Sequence, residues 1–219
     1  MIFELDNVEL YFKNKRILNG IYLKAETGKV TAILGSNGCG KSSLLNIAFG
    51  NLKPKYKLIR IDNKPILKPL YATGIAKYLP QYNFIPSSFK LSFIFKLYKM
   101  EWQLFSENFE SLASYENSKF KNLSGGERRI IETYIILKAK CDIVFLDEPF
   151  SHIAPLYIET VKKLITEEKK NKIIIITDHM YQHIIDTSDT IYLLKNGATK
   201  KINALTELED YKYLSEGSL

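Results

Sequence analysis

Apolar positions in this chain fall into two alternating patterns. Short, β-branched runs without polar interruption occur at Val30-Thr31-Ala32-Ile33-Leu34, at Ile143-Val144-Phe145-Leu146 and at Ile173-Ile174-Ile175-Ile176. Such runs are expected of strands buried on both faces, as in a parallel sheet. Between them the apolar residues take helical spacing: Leu44, Leu45, Ile47 and Ala48; then Ile130, Ile131, Tyr134, Ile135 and Leu137; then a helix over residues 155–171. Strands alternating with helices predict an α/β fold with a parallel sheet.

The flanks read differently. Residues 2–11 and 17–25 predict a hairpin around Lys13-Asn14-Lys15, and residues 57–62 and 74–79 two strands joined through Pro65 and Pro69. Residues 190–194 and 198–202 predict strands around Lys195-Asn196-Gly197, and residues 207–211 a short acidic helix. Residues 84–119 are rich in aromatics (Phe89, Phe93, Phe95, Tyr98, Trp102, Phe105, Phe109), mostly at helical spacing. They predict a small inserted helical lobe whose rings form its own core, with an exposed remainder as a partner surface.

With 219 residues the chain fits one domain, residues 1–219, with lobes at 1–83 plus 120–219 and at 84–119. Its two cysteines, Cys39 and Cys141, cannot make a disulfide framework and suggest a reducing compartment. The first residues are acidic, and no apolar run approaches the roughly 18 residues of a membrane span. A cytoplasmic protein, bound to a membrane only through partners, is expected. The net charge of +7 concentrates at Lys53, Lys55, Lys57, Arg60, Lys64, Lys68 and Lys77, against Asp62. A solvated β-ribbon face is the expectation there; the alternative is a patch for nucleic acid or anionic lipid, for which Tyr56 and Tyr71 offer little stacking.

Candidate chemistry centres on Gly35-Ser36-Asn37-Gly38-Cys39-Gly40-Lys41-Ser42-Ser43, between a predicted strand and a predicted helix. Glycines let backbone N–H groups curl around an anion, and the helix start adds its positive dipole end. Lys41 supplies a movable charge for β- and γ-phosphates, and Ser42 a hydroxyl for Mg²⁺, as in phosphate-loop NTPases. Asp147 and Glu148 close an apolar strand, where paired acids meet a cation or do chemistry. Asp147 would hold Mg²⁺ and Glu148 would act on water. Ser124, followed by Gly125, Gly126 and Glu127, predicts a capping box at the start of a helix with bared N–H groups, a second anion site. His179 would emerge on the same sheet edge as Glu148. Tyr11 or Phe12 could stack on an adenine ring.

This ordered set of motifs resembles the ATP-binding cassette (ABC) family over nearly the whole chain, and specifically its transporter nucleotide-binding subunits. The resemblance implies a RecA-like parallel-sheet core with an antiparallel β-subdomain and an inserted helical subdomain. It makes residues 35–43 the Walker A loop, Gln81 the Q-loop glutamine that reports on the metal, and residues 123–127 the signature. Asp147 ends the Walker B strand, Glu148 looks like the catalytic glutamate, His179 the switch histidine, and Phe12 stands where an adenine-stacking tyrosine is usual. Two Mg-ATP would be sandwiched in a head-to-tail homodimer or heterodimer, each between one Walker A and the partner's Ser124-Gly125-Gly126. A separate transmembrane permease subunit would carry the solute, with this chain peripheral on the inner face of the cell membrane and no nucleic acid partner. Departures from the family pattern are Glu127 for glutamine, Ala154 for the loop aspartate, and a short helical lobe. The alternatives are a nucleic-acid or ribosome-associated ATPase, or a regulatory module that binds ATP with weak hydrolysis. Cys39, inside the cradle, is expected to be shielded from thiol reagents by ATP.

Overall fold

A computed structural model describes residues 1–215 and 217. The chain begins with an antiparallel hairpin, β1 (Ile2–Phe12) and β2 (Lys15–Glu26), whose turn is tighter than expected because Lys15 already pairs with Phe12. Strand β3 (Val30–Leu34) leads through the glycine-rich loop into helix α1 (Lys41–Phe49). Then come β4 (Tyr56–Ile61), the two-residue β5 (Lys64–Pro65) and β6 (Ala76–Leu79). Helices α2 (Leu91–Leu97) and α3 (Trp102–Asn108) precede the long α4 (Gly125–Lys138). Strand β7 (Ile143–Asp147), helix α5 (Pro155–Glu168), strand β8 (Ile173–Thr177) and helix α6 (Tyr181–Thr187) follow. The chain closes with β9 (Thr190–Lys195), β10 (Ala198–Ile202) and α7 (Glu207–Asp210).

Six strands form the main sheet in the order β10-β9-β3-β8-β7-β6, and four form a second sheet in the order β2-β1-β4-β5. In the main sheet every neighbour pair is parallel except β9 with β10. The apolar runs are explained by two cores, one on each face. Val144, Leu146, Ile174 and Ile176 point toward α4 and α5, whereas Ile143, Phe145, Ile173 and Ile175 point toward α1 and the antiparallel sheet. Side chains that alternate between two buried faces leave no polar position in the strand.

The inserted lobe departs from expectation in one respect. It contains two seven-residue helices with short 3₁₀ turns after them, and its rings do not make a separate core. Phe95 and Phe105 pack against Tyr134 of α4, at centroid distances of 6.1 and 5.1 Å, inside the core that covers the main sheet. A segment this short buries its aromatics by borrowing a longer helix. Phe93 and Leu97 are half exposed or more, at 50% and 60%.

In the basic stretch, Arg60 pairs with Glu4 and Asp6, Lys55 pairs with Glu9, and Lys57 donates to the Ile47 carbonyl at 3.1 Å. Acids of β1 thus meet two of the cations, Arg60 and Lys55, that the sequence sets against Asp62 alone. Helix α6 was not expected. Among the described residues no helix is long and apolar enough to cross a membrane.

Candidate functional site

The β3–α1 loop is built for close approach to an anion. Gly40 occupies the N-cap of α1 with φ 111°, a left-handed conformation that side-chain-bearing residues avoid, and no side chain caps the helix start. The first N–H groups of a helix have no partner within the helix itself. Lys41 is buried and folds back over the loop, its Nζ donating to Gly35 O at 2.8 Å and Ser36 O at 3.2 Å. A cation held only by carbonyls is available to phosphate oxygens. Cys39 contributes main chain rather than sulfur: its Sγ lies against Gly35, where an added Cβ would come within 2.7 Å, and packs toward the core. Burial pushes its thiol pKa up. The thiol is only partly buried by the protein itself.

Beside the cradle, Ser42 Oγ donates to Asp147 Oδ1 at 3.0 Å, and Tyr78 OH donates to Asp147 Oδ2 at 2.8 Å. Asn46 Nδ2 donates to the Tyr78 hydroxyl at 2.9 Å and to Ser42 O at 2.8 Å. Asp147 is 1% exposed, and desolvation raises its pKa against the lowering effect of those two hydroxyls. A buried carboxylate with a serine hydroxyl beside it suits a hard cation such as Mg²⁺, which takes one or two carboxylates and leaves its other positions to phosphate and water. Among the described residues there is no cluster of three or more His, Cys, Asp or Glu side chains placed to hold a metal ion.

Next along β7, Glu148 adopts φ 57°, uncommon for a residue with a side chain. Its N–H donates to Thr177 O at 2.7 Å and its carbonyl accepts from Arg129 Nε at 3.0 Å, so the strained turn is held from two sides. The turn aims the carboxylate at three polar groups. Oε2 accepts from Gln81 Nε2 at 3.0 Å and from Ser151 Oγ at 3.1 Å, with His179 Nδ1 at 3.7 Å. Asp178, fully buried, accepts from the N–H groups of Phe150 and Met180 at 2.9 and 3.0 Å and lies 3.4 Å from His179 Nδ1. It ties the loop after β7 to the loop after β8, and burial raises its pKa.

These parts meet in one cleft of about 610 Å³, lined by Phe12, Ile17, Asn37, Gly38, Gly40, Lys41, Ser42, Ser43, Gln81, Glu148 and His179. Phe12, 49% exposed, offers an open ring at its rim. Gly35, Ser36 and Cys39 do not line the cleft, and Asp147 sits behind Ser42. Ser124, Gly125 and Gly126 do not line it either. They form the N-terminus of α4, where the expected capping box is present: Ser124 Oγ accepts from Glu127 N at 3.2 Å and Glu127 Oε2 accepts from Ser124 N at 2.6 Å. Gly126 has a packing reason too, because a Cβ there would lie 2.3 Å from His152 O. Tyr78, Ser151, Asp178, Arg129 and Glu132 were not singled out by sequence reasoning. For Arg129 and Glu132 the signal was available, as charges within an otherwise apolar helical stretch.

Comparison with known proteins identifies the family. The family model for ABC transporters matches residues 18–151. The energy-coupling factor transporter ATP-binding protein of Methanococcus maripaludis is 32% identical, over 82% of this chain and 70% of that protein. The ABC transporter ced-7 of Caenorhabditis elegans is 28% identical over 84% of this chain, which spans only 11% of that longer protein. Among solved structures, an ATP-binding subunit of an ABC transporter superposes with a TM-score of 0.83 at 19% identity, covering 98% of this chain and 94% of that one. By its family match and its fold, this chain belongs to the ABC transporter family, as one of its nucleotide-binding ATPase domains.

Proposed function

We propose that this chain is the ATP-binding subunit of a transporter, working as a head-to-tail dimer around two Mg-ATP and driving a solute through a separate permease. The observation that carries this reading is a division of labour. One cleft gathers Lys41, Ser42, Gln81, Glu148 and His179, while the bared helix start at Ser124-Gly125-Gly126 lies outside its lining. Each half is a partial anion site, and a second copy or a sister subunit would complete it. Phosphates would lie on the loop around Lys41, with Phe12 against the base. Ser42 and Asp147 would hold Mg²⁺, with Gln81 reaching toward it, and the ion would neutralise charge on the β- and γ-phosphates. Glu148 would orient and deprotonate the attacking water, and His179 would contact the γ-phosphate. Because ATP contacts both subunits and its products contact them less, binding closes the dimer and hydrolysis opens it. The subunit would sit at the cytoplasmic face of the membrane, held by its permease.

Replacing Glu148 by Gln tests this directly. Hydrolysis should slow by roughly 10²-fold, the scale of a lost general base, while ATP still brings two chains together in gel filtration. Unchanged turnover would remove Glu148 from its role. Turnover that does not depend on protein concentration, and survives loss of the Ser124 hydroxyl, would remove the dimer.

A further inference from the structure

Helix α4 carries two charged residues one turn apart within a buried stretch: Arg129 is 5% exposed and Glu132 is 0% exposed. Burying a charge costs several kcal/mol unless it is well partnered, so the partners reveal what each residue is for. The Arg129 guanidinium donates to three backbone carbonyls: Pro80 at 2.6 Å, Glu148 at 3.0 Å, and Asp147. Glu132 Oε1 accepts from the N–H groups of Phe84 at 2.8 Å and Ile85 at 3.1 Å. Its other oxygen, Oε2, has no hydrogen-bond partner among the described residues. Between the two anchored points lie Gln81, Tyr82 and Asn83, all exposed, and Gln81 Nε2 reaches Glu148 Oε2.

We propose that Arg129 and Glu132 are positioning residues that suspend the Gln81 loop from α4, so that the helix bearing Ser124-Gly125-Gly126 sets the approach of Gln81 to Glu148. This deepens the ATPase reading and rests on it. The loop entering from β6 is held at its start by Arg129 and at its end by Glu132, both from one rigid helix. A planar guanidinium in three hydrogen bonds transmits a shift of its helix with little slack. The orphaned Oε2 shows that Glu132 is not a fully satisfied core residue; its contribution is the pair of charge-assisted bonds that fix residues 84 and 85. A displacement at the helix start, where the partner's nucleotide would bind, is thereby carried to the residue that touches the catalytic carboxylate.

The test is steady-state ATPase kinetics on the full chain with Glu132→Met, which keeps the shape and removes the acceptor. We expect kcat to fall about tenfold or more while KM for ATP stays within about twofold, since the phosphate cradle is untouched and only Gln81 is misplaced. Glu132→Gln, which retains an acceptor oxygen, should recover most of the lost kcat. In a double-mutant cycle with Gln81→Ala, Glu132→Met should add little to the loss already caused by Gln81→Ala, because both act through one contact. Wild-type kcat in Glu132→Met, or full additivity with Gln81→Ala, would overturn the proposal. Should Glu132→Met fail to fold, Glu132→Gln is measured in the same cycle, where any loss it causes should add little to that of Gln81→Ala, and full additivity would again overturn the proposal. A wild-type chain that hydrolyses no ATP would instead sink the reading of the site.

Discussion

Tyr78→Phe removes one hydroxyl from beside the Asp147 carboxylate. The ring is retained, so its packing against Phe49, at a centroid distance of 5.4 Å, should persist. What disappears is a hydroxyl that donates to Asp147 Oδ2 at 2.8 Å and accepts from Asn46 Nδ2 at 2.9 Å. A hydrogen bond to a charged group contributes about 1.5–3 kcal/mol, and Asp147, 1% exposed, has almost no solvent contact to replace it. In a chain of this size that corresponds to a fall in Tm of roughly 2–4 °C per kcal/mol. The pH dependence is more diagnostic. Burial raises the Asp147 pKa, and the Tyr78 hydrogen bond is first among the effects that lower it. Without that hydroxyl the folded-state pKa rises further above the unfolded value. A raised carboxyl pKa gives stability that is intact at low pH and lost as pH climbs through it, so the variant loses more than wild type over this window. Denaturant unfolding of both proteins without nucleotide, near pH 5 and near pH 8, should therefore give a larger difference at about pH 8. Equal differences at the two pH values, or one below about 0.5 kcal/mol throughout, would refute the assignment of Tyr78 to the Asp147 carboxylate.

The two signature glycines should separate in a melting experiment. Gly126→Ala would place a Cβ 2.3 Å from His152 O and must displace the loop that carries Ser151, costing about 1–3 kcal/mol, whereas a Cβ on Gly125 meets nothing within 4 Å. Equal melting of the two variants would contradict that contact. Cys39, packed toward Gly35 with its thiol pKa raised, should react slowly with a thiol reagent and at the same rate with or without ATP. Clear protection by ATP would place the sulfur in the cleft after all.

Features set by neighbours in sequence were legible before the structure. The strand, glycine-rich loop and helix around Lys41 depend on contiguous residues, and the Ser124–Glu127 capping box spans a single turn. The doubly buried strands were readable because a parallel sheet covered on both faces leaves no polar position. Helix α6 was not. Its residues Tyr181-Gln182-His183-Ile184-Ile185-Asp186-Thr187 include β-branched and weak helix formers, and its N-cap Met180 makes no side-chain cap. Contact of Ile184 with the core, a tertiary effect, outweighs those preferences. The aromatic lobe misled for a related reason, since spacing shows which rings share a face but not that Tyr134 lies across from them. Tyr78, Ser151 and Asp178 become visible only when distant strand ends are brought to one sheet edge. Each looks ordinary in its own segment.

The left-handed turn at Glu148 sets placement of the carboxylate against backbone energy. Glycine would rest at that φ of 57° with less strain, and asparagine tolerates it better than glutamate does. Exchanging the acid for either residue would remove the carboxylate for a gain of up to roughly 1–2 kcal/mol in backbone energy. The cleft thus keeps its acid beside Gln81, Ser151 and His179 at the expense of a more relaxed turn.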